Sequence, residues 1–319
     1  MSTTVARPAP SAGTRSAGPT QPLPVLAVDL VTDPSLLSGL AGLARGLEEA
    51  GAGALTLSDG GLHPIHVAAH LAPLTSELGL LPRTDAIYVE PFHLATQLMS
   101  LDHLSHGRAG WLLQAETDPA VPAAVGREVL GLEATAREAA DVLTAVRAVW
   151  DSWAPDAVVR DTERGVYVDA ARLQYADIEA ETFSLRGPAI TPRSPQGLLP
   201  VLVADTDRAA VGERTAAELA DGRALDLDVS GGARTRQLAA RIESAGPVRL
   251  VRLVGLDLEA DPLGTVAQLA AALRSRALVA PAPVPRRTLR TRLGLPAAPF
   301  RPDPARRSDR ARQIREESA

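Results

Sequence analysis

Tyr88-Val89-Glu90-Pro91-Phe92-His93 joins an apolar run, Leu80 to Tyr88, to an amphipathic stretch, Phe92 to Leu104. Pro91 disfavours helix at Glu90 and starts a helix itself, because its φ is fixed near about −65° and it has no N–H to place. The six residues therefore force a sharp turn from strand into helix. Such turns lie at the C-terminal ends of parallel strands, the face on which α/β barrels collect ligand contacts.

The same alternation extends in both directions from this joint. Strand-like runs fall at Val25 to Asp29, Ala54 to Ser58, Leu80 to Tyr88, Ala109 to Gln114, Val201 to Ala204, Leu225 to Val229, Val248 to Val254 and Ala277 to Val279, the last being weak. Helical periodicity falls between them at Pro34 to Ala50, Pro64 to Leu78, Phe92 to Leu104, Arg127 to Trp150, Arg208 to Leu219, Ala233 to Ser244 and Gly264 to Arg276. Asp33-Pro34 is a cap followed by an N1 proline, and Leu36, Leu40, Leu43 and Leu47 then recur on one face. Eight strands alternating with helices predict an α/β chain folded as a trimmed (β/α)8 TIM-like barrel. The domain reading is a disordered N-terminal segment over 1–22, a barrel over 23–280 and a Pro/Arg-rich tail over 281–319. Within the barrel, periodicity stops over 154–199, an irregular insertion after the fourth strand and its helix, expected on the active-site side.

A chain of 319 residues can be filled by one such core. Hydrophobic residues make up 45% but aromatics only 3%, so aliphatic side chains must pack the interior, as inward-facing parallel strands require. Every basic residue is Arg, and ten of them lie between Arg286 and Arg315, which leaves the body acidic and without a basic stripe for nucleic acid. The absence of cysteine excludes disulfides, thiolate nucleophiles and cysteine-ligated metals. No run approaches the roughly 20 apolar residues of a membrane span, so the expectation is a cytoplasmic protein without a membrane partner.

Several segments, in order, resemble the luciferase-like flavin-dependent monooxygenases, in the branch with nitrilotriacetate and desulfurising enzymes. They are Tyr88 to His93, then Leu101-Asp102-His103-Leu104-Ser105 with His106-Gly107-Arg108-Ala109-Gly110-Trp111, and Trp150-Asp151-Ser152-Trp153. Further on come Phe183 to Pro188 with Pro192-Arg193-Ser194-Pro195-Gln196-Gly197, and Thr288-Leu289-Arg290 with Leu293-Gly294-Leu295-Pro296. The half of the chain after the fifth strand is shorter than the family's. The resemblance implies oxidation of a small organic substrate with O2 and reduced FMN delivered by a separate flavin reductase. A deazaflavin is the alternative cofactor, and a homodimer is the implied assembly. A second reading is a non-catalytic relative with a degenerate flavin site, acting without cofactor as a binding or regulatory module.

The resemblance places the cofactor among Asp59, Tyr88, Glu90, Ala115, Ala204 and Asp205, with Asp59 beside the flavin ring, and assigns no catalytic residue. Asp59 also reads as a turn aspartate before Gly60. Three stretches depart from the family. Leu112 and Ala115 stand where Asn and Thr are expected after Trp111, and Ala134-Thr135-Ala136-Arg137 lacks the tyrosine that helps hold the phosphate. The glycine- and serine-containing phosphate turn reads Ala204-Asp205-Thr206-Asp207-Arg208, with two carboxylates that suit helix caps better than a dianion.

All six histidines lie between His63 and His106, and His66 and His70 have an i, i+4 spacing that can chelate zinc, but no third ligand is visible, so no metal is expected. His93 reads as a turn residue before it reads as a base, and Trp150 and Trp153 as packing between helix and insertion. Arg186 and Arg193 read as partners of nearby carboxylates, with an anionic substrate as the alternative.

Overall fold

The computed structural model describes residues 22–232 and 234–306. In chain order the elements are β1 (Val25–Thr32), α1 (Leu40–Glu49), β2 (Ala54–Asp59), α2 (Pro64–Leu71), β3 (Gly79–Asp85), α3 (Pro91–Leu104), β4 (Trp111–Gln114), α4 (Ala120–Ala124) and α5 (Leu132–Trp150). There follow two short antiparallel pairs, β5 (Val158–Asp161) with β6 (Val166–Val168) and β7 (Ile178–Glu179) with β8 (Ser184–Leu185). The chain continues through β9 (Val201–Ala204), α6 (Arg208–Val211), β10 (Gly222–Asp228), α7 (Thr235–Ser244), β11 (Leu250–Val254), α8 (Pro262–Ser275) and α9 (Leu289–Arg292).

Seven parallel strands close the barrel, in the order β1-β11-β10-β9-β4-β3-β2 and back to β1. The expected eighth strand at Ala277 to Val279 does not form. Ala277 takes a left-handed φ of 52° where α8 ends, and Leu278 N–H turns back to Leu273 O at 3.0 Å. Only Ala280 N–H reaches β1's neighbour Pro24, and Pro281 and Pro283 then offer no donors for a ladder. The expected first helix also divides: Asp33 accepts from Ser35 N–H over a 3-10 turn, Pro34–Leu36, before α1 begins at Leu40. The disordered segment expected at 1–22 falls, up to residue 21, outside the described residues.

Alternation along each strand makes two cores. Leu26, Val28, Leu30, Leu55 and Leu57 face the helices. Val25, Ala27, Ala54, Leu81, Leu112, Leu202, Ala204, Ala224 and Leu250 face inward and form a separate buried cluster. Leu289 of α9 and Leu293 just after it belong to that inner cluster. The Pro- and Arg-rich stretch thus closes the N-terminal end of the barrel. Gly79 and Gly110 permit this, since a Cβ on either would lie 2.8 or 2.9 Å from Leu289.

One buried relay fixes that closure. Gln196 Nε2 donates to Asp102 Oδ1 at 2.6 Å and to Ala109 O at 2.7 Å, while Gln196 Oε1 accepts from Arg290 N–H at 2.7 Å. Asp102 also accepts from the N–H groups of Gln196 and Ala109. Burial pushes the Asp102 carboxyl above its ordinary pKa, against the hydrogen bonds from Gln196, Ser194 and Ala109. Arg108 is buried beside the relay and donates to Ser105, Ala72, Thr75 and Leu78 carbonyls.

The insertion lies differently from expectation. It connects a helix to the following strand, so it opens at the N-terminal end of the barrel, and none of residues 154–199 lines the cavity at the opposite mouth. Trp150 Nε1 donates to Ala95 O and Trp153 Nε1 to Ala189 O, seating α5 between α3 and the insertion. Arg193 pairs with Asp151 and reaches Ala298 O, and Arg186 stacks over Tyr175.

Gln196→Ala is expected to leave the Asp102 carboxylate and Arg290 N–H buried with too few partners. A loss of about 2–4 kcal/mol in urea unfolding checks this, and a loss under about 1 kcal/mol contradicts it.

Candidate functional site

Above the apolar layer, the next inward position on six of the seven barrel strands is polar or charged: Asp29, Thr56, Arg83, Gln114, Asp226 and Arg252. Buried charge requires partners, and here it has them. Thr56 and Ser58 hydroxyls donate to Asp29 Oδ1 at 2.6 and 3.0 Å. Arg252, with 6% of its side chain exposed, grips Asp226 through Nε at 2.7 Å and Nη2 at 3.0 Å, and its Nη1 stands 3.5 Å from Asp29. Arg83 reaches from β3 to the turn after β9, donating to Asp207 through Nε at 2.9 Å and Nη2 at 2.5 Å. Burial disfavours the Arg83 cation, but the hydrogen bond and charge of Asp207, with Asp29 and Asp226 behind it, hold its pKa above the ordinary value.

Over this layer, at the C-terminal ends of β2, β3 and β4, lies a cavity of about 540 Å³. Its walls include Asp59, His63, Tyr88, Glu90, His93 and Glu116. The Glu90-Pro91 turn forms as expected, with Glu90 accepting from Phe92 and His93 N–H as the cap of α3. Asp59 accepts from Gly61 N–H. Asp85 accepts from Ile87, Tyr88 and Glu116 N–H, yet burial still raises its pKa. Burial, then the neighbouring His66, lowers that of His63, against the pull of Asp59. The Tyr88 hydroxyl receives Leu130 N–H, and the Arg127 guanidinium sits 5.3 Å from the ring centre, pinning the segment before α5 beside the mouth.

Of the six residues assigned to a cofactor by resemblance, Asp59, Tyr88 and Glu90 share this cavity. Ala115 is buried just beyond β4, and Ala204 belongs to the inner apolar cluster. Asp205 is held by Arg223, whose Nη2 lies 3.0 Å from Oδ2 and whose Nε contacts Oδ1. The aspartates of the turn are therefore not helix caps. Asp207 is at the cap position of α6 but makes no cap hydrogen bond, because its carboxylate is committed to Arg83. Among the described residues no three His, Asp or Glu side chains converge as a metal site, and no helix is long and apolar enough to cross a membrane.

The phosphate end of FMN does not fit these residues. A dianion there would face Asp205 and Asp207 at close range. The helix behind the turn, α6, has only four residues and ends at Gly212, with φ 79°. A Cβ on Gly212 would fall 2.6 Å from the Ala136 methyl. The backbone of α6 thus occupies the space that a large side chain at position 136 would need.

The luciferase-like monooxygenase family model matches residues 23–314. This chain belongs to that family. A monooxygenase of Bacillus subtilis acting on N-acetyl-S-(2-succino)cysteine is 36% identical over 141 residues, covering 44% of this chain and 32% of that protein. A subunit of the pristinamycin IIA synthase of Streptomyces pristinaespiralis is 31% identical over 185 residues, covering 56% of this chain and 61% of that one. The EDTA monooxygenase of Chelativorans sp. BNC1 has the same fold, with a TM-score of 0.67 at 16% identity, over 88% of this chain and 100% of that chain. The chain spans about a third of the length of the Bacillus subtilis enzyme and of a dibenzothiophene-sulfone monooxygenase of Rhodococcus erythropolis that it also matches.

Sequence reasoning missed the charged layer as a unit. Its signal was present, because Asp29, Arg83, Asp226 and Arg252 each interrupt a strand run at an inward position.

Asp207→Asn leaves the half-buried Arg83 guanidinium without its counter-ion and is expected to cost about 2 kcal/mol in denaturant unfolding. The pair Arg83→Met with Asp207→Leu is expected to recover most of that loss. Equal destabilisation by the single and double variants contradicts the pairing.

Proposed function

We propose that this chain is a luciferase-like barrel whose phosphate subsite has been replaced by a salt-bridged wall, so that it serves as a binding or regulatory module and does not hold FMN by itself. The bidentate contact between Arg83 and Asp207 carries this reading. An FMN phosphate would have to compete with Asp207 for Arg83 and with Asp205 for Arg223, and both carboxylates would stay close to it. The shortened α6 and the closed space at Ala136 point the same way. Partner regulation draws support from the pristinamycin IIA synthase relative, since a protein named as one subunit of a synthase works beside others. A small molecule in the mouth, a second copy of the chain and a cytoplasmic setting complete the proposal.

The competing reading is a monooxygenase-like oxidoreductase using O2 and reduced FMN from a separate flavin reductase, on a small organic substrate. Family membership and the grouping of Asp59, Tyr88 and Glu90 around one cavity favour it.

Quenching of flavin fluorescence separates the two. The expected Kd for FMN is above about 1 mM, with no thermal shift. Protein that stays yellow after desalting, or a micromolar Kd for FMN or a deazaflavin, establishes the oxidoreductase reading instead.

A further inference from the structure

We infer that residues 117–130, in the connection from β4 to α5, form a lid at the mouth cavity, latched by Arg127 and set by the insertion. Val121 of this segment and Glu116 at its first hinge line the cavity. The lid acts on whatever occupies the mouth, so it stands apart from the question of FMN.

Few contacts hold the segment, and little packing does. From 117 to 132 only Pro122 is buried, while Val125 and Val129 are more than half exposed. The end of α4 bonds to the segment itself: Gly126 N–H donates to Ala123 O at 3.3 Å and Arg127 N–H to Pro122 O at 2.8 Å. Among the described residues, its polar contacts with the body beyond Glu116 all pass through Arg127 or Tyr88. Arg127 Nη1 donates to Ile87 O at 2.6 Å, its Nη2 stands 3.5 Å from Glu138 Oε1, and its guanidinium lies 5.3 Å from the Tyr88 ring centre. Leu130 N–H donates to the Tyr88 hydroxyl at 3.2 Å. Ile87 and Tyr88 belong to the turn between β3 and α3, so one arginine and one tyrosine tie the lid to the neighbouring strand-to-helix turn. A segment that buries so little opens locally once such contacts break. Gly131 gives it a second hinge, because it caps α5 without a side-chain bond and has open space where a Cβ would stand.

The insertion reaches the same latch from outside the barrel. Glu138 of α5, 5% exposed, divides its two oxygens: Oε2 accepts from the Thr182 hydroxyl, in the turn between β7 and β8, and Oε1 faces Arg127. Arg137 holds that turn as well, through Glu181 at 3.2 Å. A shift of the turn rotates Glu138 and withdraws its carboxylate from Arg127, so movement of the insertion is passed to the lid.

The chain contains no cysteine, so one introduced thiol reports on one place. Leu94→Cys puts it in the cavity wall, and Leu101→Cys puts it in the core two turns further along α3, outside the cavity lining. Labelling by N-ethylmaleimide, followed by intact mass, is expected to run about tenfold faster at position 94 when Arg127→Met is added. Tyr88→Phe, which keeps the ring and removes only the acceptor for Leu130, and Thr182→Val are each expected to speed it several-fold. Position 101 is expected to stay slow in all three. No acceleration at position 94 with either Arg127→Met or Tyr88→Phe, equal acceleration at both positions, or labelling as fast as free cysteine with the latch intact overturns the lid. Acceleration by Arg127→Met and Tyr88→Phe with none by Thr182→Val overturns the link to the insertion.

Discussion

A guanidinium inside a barrel cannot be left without a counter-charge, and the contact between Arg83 and Asp207 meets that requirement across the mouth. It ties β3 to the turn after β9, two segments that approach only because the barrel is closed. Once Asp207 is used in this way, the turn presents carboxylates held by arginine where an anion would need neutral donors, with Asp205 held by Arg223 on its other side. Arg252, Asp226 and Asp29 continue the same layer across the interior. The floor of the site is thus a lattice of compensated charge above an aliphatic core.

The two ends of the barrel separate stability from recognition. At the N-terminal end, Asp102, Gln196 and the backbone of Arg290 bind α3, the insertion and α9 together, while Leu289 and Leu293 fill the interior. Three of the segments that carry the family resemblance gather there, Leu101 to Trp111, Pro192 to Gly197 and Thr288 to Pro296, whereas Tyr88 to His93 lies at the opposite mouth. The chemistry of these three segments is closure of the fold. The C-terminal end, built by the strand-to-helix turns, is free to vary, as barrel architecture allows.

Much of this was legible in the sequence. The Glu90-Pro91 turn, seven of eight strands and the parallel order follow from proline stereochemistry and apolar runs that local sequence determines. The eighth strand was misread because Ala277-Leu278-Val279 is apolar, whereas its fate was set by the left-handed turn that ends α8. Asp205 and Asp207 were readable as hostile to phosphate but not as ion pairs, since Arg223 and Arg83 lie far away in sequence and only the closed sheet brings them near. The cofactor residues proposed by resemblance divide for a similar reason: Asp59, Tyr88 and Glu90 share a cavity, while Ala204 is committed to the core by its inward register.

If the turn after β9 carries charge compensated by arginine, it has no place for a phosphate. The most direct measurement is the phosphorus-31 resonance of FMN as the protein is added in excess. The line is expected to keep its free position and width. A shifted or strongly broadened line that sharpens on adding inorganic phosphate would contradict this, because the phosphate would then be seated where Asp205 and Asp207 are held to exclude it.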